Sequence, residues 1–321
     1  WDHLHLEDLT GDHVGYIVYY RKKSTTNTQW SVMQVNGREN FVTPTVGADN
    51  YYLEYEIIVG AFNSLGFGPN STVASIMSAE DMPISASMRV YGDPFNSTAM
   101  MVHWIPIPNT RQYIRGRILG YQINYWSQTI TNPEIGSTNI YCDCGEGMVV
   151  GLDPDDDYWI NIQVFTNAGL GPVSGDGEGS TYIFPPMNYP EYVHVASYMG
   201  NAVFVTWRGI STGLKEEPVI GYKIRWWPAT ENIRLANDTI VPRMLSHTVI
   251  KGITDSVVYA VRVLAYSSGG DGKKSPTVYF TLEGMVVYNP ETTEILNSCR
   301  LIQATSWMYC ITCLLLYCRF S

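Results

Sequence analysis

Three tryptophans are evenly spaced, Trp104 and Trp207 each closing an apolar alternation: Trp1, Trp104 and Trp207, with 104 − 1 = 103 and 207 − 104 = 103. A period of that length is the length of a domain, so the chain is expected to bury a separate core in each repeat. Two further landmarks follow each tryptophan in order. One is a glycine–tyrosine pair opening an alternating segment: Gly15-Tyr16-Ile17-Val18-Tyr19, Gly120-Tyr121-Gln122-Ile123 and Gly221-Tyr222-Lys223-Ile224. The other is a tyrosine leading a second alternation, at Tyr55, Tyr158 and Tyr259. Glycines stand 11 and 13 residues beyond each: Gly66 and Gly68, Gly169 and Gly171, Gly270 and Gly272.

Alternation of period two marks strands with one buried and one wet face. Regular turn signals between short strands, without a sustained helical stripe, predict antiparallel sandwiches rather than βαβ units. The expected structural core is Trp1, Trp104 and Trp207 with Tyr55, Tyr158 and Tyr259. These supply large apolar area, and each tyrosine adds a polar tip for a backbone partner. The glycine pairs suit hairpins that need positive φ. With 45% hydrophobic, 13% aromatic and 16% charged residues, the chain is not of the disordered kind. Its net charge of −10 argues against a phosphate-binding footprint, so no nucleic-acid partner is expected.

The three-landmark pattern resembles tandem fibronectin type III domains. The wording of Tyr55-Glu56-Ile57-Ile58-Val59-Gly60-Ala61-Phe62-Asn63-Ser64-Leu65-Gly66-Phe67-Gly68-Pro69, Arg115-Gly116-Arg117-Ile118-Leu119-Gly120-Tyr121 and Arg262–Gly272 resembles the C-terminal fibronectin repeats of contactins. That resemblance covers about residues 1–284. It implies an all-β chain of three tandem fibronectin type III (immunoglobulin-like) β-sandwiches in a rod, the first N-terminally truncated. The expected domains are 1–79 (lacking its first strand), 83–183 and 186–284, then a linker and apolar tail at 285–321. Glu80-Asp81-Met82-Pro83 and Phe184-Pro185-Pro186 are the junctions, short enough for a semi-rigid arrangement. A first repeat that opens at its core tryptophan suggests a fragment of a longer product. By the same resemblance the protein is a non-enzymatic, glycolipid-anchored cell-adhesion molecule, neural or junctional, on the extracellular side of the plasma membrane. Its expected partners are cell-surface adhesion proteins, in cis or in trans. The ectodomain stalk of a single-span receptor and a secreted matrix component are the alternatives.

The C-terminus carries 18 residues without formal charge, from Leu301 to Cys318 (319 − 300 − 1 = 18). It has three readings: a membrane span of marginal length, a glycolipid-anchor signal with Asn297 and Ser298 at its small-residue site, or a sticky terminal tail. Three sequons, at Asn70, Asn96 and Asn237, are the expected glycan acceptors. Cys142 and Cys144 alternate, so on a strand they would face opposite sides and pair poorly. Cys310-x-x-Cys313 lacks a second ligand pair, and the spacing of His3 and His5 lacks a third ligand; no metal site is expected. The run Asp153–Asp157 suits a solvated turn better than a calcium loop. Arg225, Trp226-Trp227 and Arg234 could stack, although a core tryptophan beside an edge tryptophan is the simpler reading. No nucleophile elbow, zinc-protease helix or phosphate loop is present, so no catalysis, cofactor or small-molecule substrate is expected.

Overall fold

The computed structural model describes residues 1–5, 11–24 and 29–296. The chain gathers into two compact units. One comprises Trp1–Gly92, Val102–Gly147 and Tyr158–Glu178; the other comprises Asp93–Met101, Met148–Asp157 and the chain from Gly179 onward. The second sequence repeat contributes to both.

The described residues are almost entirely β. The first repeat holds β1 (Gly15–Lys22), β2 (Ser31–Asn36), β3 (Glu54–Asn63), β4 (Gly66–Asn70) and β5 (Ala74–Met77), in one sheet of order β2-β1-β3-β4 with β5 also on β3. The second holds β6 (Met88–Asn96), β7 (Ala99–Ile105), a one-turn helix α1 (Arg111–Ile114), β8 (Gly120–Ser127), β9 (Gly136–Ile140), β10 (Glu146–Val150), β11 (Asp157–Thr166), β12 (Gly169–Leu170) and β13 (Gly177–Ser180). These make a three-stranded sheet, β10-β7-β6, and a five-stranded one, β12-β11-β8-β9 with β13 on β11.

The third repeat runs β14 (Glu191–Ser197), β15 (Ala202–Arg208), β16 (Gly221–Pro228), β17 (Asn237–Pro242), β18 (His247–Lys251), β19 (Tyr259–Ser267), β20 (Gly270–Lys274), β21 (Val278–Thr281) and β22 (Gly284–Met285). Here the short β22 pairs with both β21 and β14, through Phe280↔Met285 and Ala196↔Gly284, and so joins the two sheets at one edge. A small hairpin, β23 (Val287–Asn289) with β24 (Glu294–Leu296), follows.

Register is the same in all three repeats. The glycine–tyrosine strand lies antiparallel to the tyrosine-led strand, with Val18 opposite Val59, Ile123 opposite Ile162 and Ile224 opposite Val263. A one-residue slip would turn these side chains to water, so burial holds the pairing. Packing depth differs. Ile123, Ile162, Ile224 and Val263 are fully buried, whereas Val59 is half-exposed. The physical reason lies in the second layer: β6-β7-β10 and β14-β15-β18 supply one in the later repeats, and the first has a single sheet among the described residues.

Candidate functional site

Among the described residues the candidate sites are the interior lock of each repeat, the junctions and the sequon asparagines. The lock begins at the repeated tryptophans. Trp104, in β7, and Trp207, in β15, are buried at 5% and 4% exposure, and Trp1 is half-buried. Each packs its ring on the tyrosine opening the next strand: Trp1 on Tyr16 (centroids 5.4 Å), Trp104 on Tyr121 (5.1 Å), Trp207 on Tyr222 (5.5 Å). The phenol oxygen of that tyrosine accepts from a backbone N–H three residues beyond the tryptophan: Leu4 to Tyr16 at 3.1 Å, Ile107 to Tyr121 at 3.2 Å, Ile210 to Tyr222 at 3.1 Å. Burial raises the Tyr121 hydroxyl above its ordinary pKa, since a charged phenolate would lose its water there. Sequence reasoning assigned the polar-tip role to the other tyrosines. Of those, Tyr259 accepts from the Thr254 N–H at 3.1 Å, and Tyr55, Tyr158 and Tyr259 are all buried.

Within the first unit, the junction between the first two repeats is built from side chains of α1 and its flank. Arg111 donates Nε to the Tyr51 carbonyl at 2.9 Å and Nη2 to the Asp49 carbonyl at 2.7 Å, and its guanidinium lies 4.2 Å from the Tyr51 ring centroid. Arg115 approaches the same ring at 4.7 Å and pairs with Asp81 at 2.8 Å. The Asn167 N–H donates to Glu80 at 3.0 Å. In the second unit, the Phe184-Pro185-Pro186 junction is held likewise. Phe184 forms an isolated parallel bridge with Glu216, the Met187 N–H donates to Glu216 at 3.1 Å, and the Lys273 N–H donates to the Pro186 carbonyl at 3.1 Å.

The expected glycan acceptors occupy three settings. Asn70 ends β4 and Asn237 opens β17, both exposed on outer strands of their sheets. Asn96 is half-buried at the β6–β7 turn, where its side-chain oxygen accepts from the Thr98 N–H at 2.8 Å. Asn297 and Ser298, with the rest of the apolar tail, lie outside the described residues.

Two sequence expectations meet a different structure. Cys142 and Cys144 are paired as a disulfide, with Cα atoms 5.4 Å apart. The alternation argument fails because Cys142-Asp143-Cys144 forms a bend between β9 and β10 rather than a strand, which brings both side chains to one side. The acidic run is not uniformly solvated either. Asp156 is 8% exposed, and its N–H donates to Thr181 Oγ1 at 3.2 Å. Arg225 turns from the tryptophans to Asp238, with Nε–Oδ1 at 2.7 Å and Nη2–Oδ2 at 2.6 Å. That bond holds the Asp238 carboxyl below its usual range and lifts the Arg225 guanidinium above its own. Trp227 is buried, and Trp226 packs on Tyr259 with ring centroids 5.9 Å apart.

These features define a chain of fibronectin-type β-sandwich units, and residues 188–281 match the Fibronectin type III domain family. The chain is a contactin homologue, 36% identical over 286 residues to Contactin of Drosophila melanogaster, a match covering 88% of this chain and 20% of that protein. It is also 26% identical to Contactin-5 of Rattus norvegicus (87% of this chain, 24% of that one) and 27% identical to Contactin-1 of Homo sapiens (89% and 28%). The chain thus spans between 20% and 28% of the length of these relatives. Among solved structures, the chicken CNTN1 FN1–FN3 domains are 19% identical over 85% of this chain and 95% of that one, with a TM-score of 0.46.

Proposed function

We propose that this chain is the membrane-proximal stalk of a contactin-like adhesion protein, acting by binding and spacing rather than by catalysis. The observation that supports the reading most is the likeness to Drosophila Contactin across 88% of the chain. It falls on repeats that each carry a tryptophan–tyrosine lock, with the N–H that the phenol accepts always three residues past the tryptophan. Independent cores of this kind suit a spacer, because each unit resists unfolding on its own. In this reading the domains are 1–79, 83–183 and 186–284. Asn70, Asn96 and Asn237 carry glycans, and segment 285–321 attaches the protein to the outer face of the plasma membrane through a glycolipid added near Asn297-Ser298. Partners are other cell-surface adhesion proteins at neural or junctional contacts.

Expression of the full-length product in cells, followed by a phospholipase that cleaves glycolipid anchors, tests the attachment. Release into the medium is expected on treatment only; retention after treatment overturns the anchor. Loss of mass on enzymatic deglycosylation, mapped to the three asparagines, tests the glycan acceptors.

A further inference from the structure

The Cys142–Cys144 bridge encloses a single residue, Asp143. A cross-link stabilises a fold chiefly by restricting the unfolded chain, and that effect grows with the number of residues enclosed. A ring this small restricts almost nothing. Nor does the bend depend on it. The Trp104 N–H donates to the Gly145 carbonyl at 2.9 Å, and Asn109 Nδ2 donates to Asp143 Oδ2 at 3.3 Å. The third repeat supplies a comparison within the molecule. Its connection from β17 to β18 runs Arg243-Met244-Leu245-Ser246, without cysteine, and the Trp207 N–H donates to the Ser246 carbonyl at 3.0 Å. The same connection is thus anchored to the same tryptophan with no disulfide.

The bridge is also within reach of solvent. Both cysteines are half-buried, and Asp143 between them is exposed. Exposed bridges are the ones open to thiol–disulfide exchange, in which an external thiolate attacks one sulfur and expels the other. The two sulfurs differ in what surrounds them. Cys144 Sγ lies 3.3 Å from the Glu146 carbonyl oxygen, so a thiol released there has its acceptor in place. That contact favours the thiol over the thiolate, and only the thiolate re-closes the bridge. An adduct on Cys142 therefore persists. Asp143 and Glu146, both exposed, flank the bridge with negative charge. They repel an anionic attacker and favour one that carries a positive group.

We infer that Cys142–Cys144 is an exchangeable disulfide, a modification site that takes up a small ammonium-bearing thiol as a mixed disulfide on Cys142. The incoming thiol first gives its proton to solvent. Its thiolate then attacks Cys142 Sγ; the new S–S bond forms as the bond to Cys144 breaks, and the electron pair leaves on Cys144 Sγ. Cys144 takes a proton from solvent and donates it to the Glu146 carbonyl. One thiol is consumed and one appears, so the step needs no oxidant or reductant. The bond from Trp104 to Gly145 stays in place throughout.

The test incubates the folded chain of residues 1–321 with millimolar cysteamine for about an hour, quenches in acid with a maleimide and maps the adducts by peptide mass spectrometry. Mapping separates this bridge from the cysteines of the tail. Cysteamine is expected on Cys142 and the maleimide on Cys144. At low salt 3-mercaptopropionate, an anionic thiol of matching length, should react about threefold or more slowly per thiolate, and about 1 M salt should close the gap. The Cys142→Ser/Cys144→Ser chain should melt within about 2 °C of the parent. A bridge inert to cysteamine in the folded chain overturns the inference, as does an adduct on Cys144. Equal rates for the two thiols at low salt remove the charge selection. A fall of several degrees in the double variant, or its failure to fold, makes the bridge structural and overturns the inference as well.

Discussion

At the residue scale, the tryptophan and the glycine–tyrosine pair form one device: a ring contact plus a phenol that accepts a backbone N–H from the loop after the tryptophan. The tryptophans were legible from their even spacing and, at Trp104 and Trp207, from the apolar alternation each closes. The phenol's acceptor role was not, since Ile107 and Tyr121, or Ile210 and Tyr222, meet only after the loop between them folds. Trp207→Ala is expected to cost about 3–5 kcal/mol, because it empties a site walled by Val205, Tyr222 and their neighbours. Tyr222→Phe keeps the ring and leaves the Ile210 N–H unpaired, for about 1 kcal/mol. Urea unfolding of both variants checks the order; equal losses would mean that the hydroxyl, not the ring, carries the lock.

The Arg225–Asp238 pair makes a pH prediction at the same scale. The carboxyl is more acidic folded than unfolded, so the folded state gains from its ionisation. That gain is fully present above the ordinary aspartate value near about 3.9 and fades as pH falls through the lower folded value. The melting-temperature difference between the parent chain and Asp238→Asn should therefore be constant near neutrality and shrink in acid. A difference that grows in acid contradicts the pairing.

Among elements, strand positions followed from period two, and the register that the three repeats share is the one that keeps the same face of each strand buried. The turns and bends did not. Strand phase predicted that Cys142 and Cys144 point apart, and a bend between β9 and β10 cancels the phase. The glycine pairs were expected to serve φ alone, yet the second member makes room for a linker 86–88 residues earlier in sequence (272 − 186 = 86, 171 − 83 = 88). Gly272→Ala should destabilise the third repeat by about 1–3 kcal/mol, since the Pro186 backbone cannot step aside as a side-chain tip can. Gly68→Ala, facing open space except for one carbonyl, should cost clearly less. Thermal unfolding of the two variants decides this, and equal shifts would refute the close-approach account.

For the whole molecule, the repeat predicted short linkers, and the structure adds that residues 80–83 and 184–187 are hydrogen-bonded in place rather than merely short. Arg111 is the sharpest case. Its two donors reach two carbonyls of the first repeat across 60 and 62 residues of sequence. Arg111→Ala should lower the calorimetric transition of the first repeat while leaving that of the third unchanged. Arg111→Lys should fail to restore it, because an ammonium lacks the planar fork that spans both oxygens. Full rescue by lysine would reduce the contact to simple charge.

The sequence by itself determined the all-β class and the fibronectin type III likeness, and it pointed to Trp104, Trp207, Tyr55, Tyr158 and Tyr259, which the structure buries. These depend on periodicity and on residues close together in the chain, where burial leaves one register. Tertiary structure alone decided the N–H each tyrosine receives, the closing of Cys142 on Cys144, the clasp of Arg111 and the seat of each proline beside a glycine. Those contacts join groups whose separation is set by loops, and a loop's path follows from the packing around it rather than from a pattern along it.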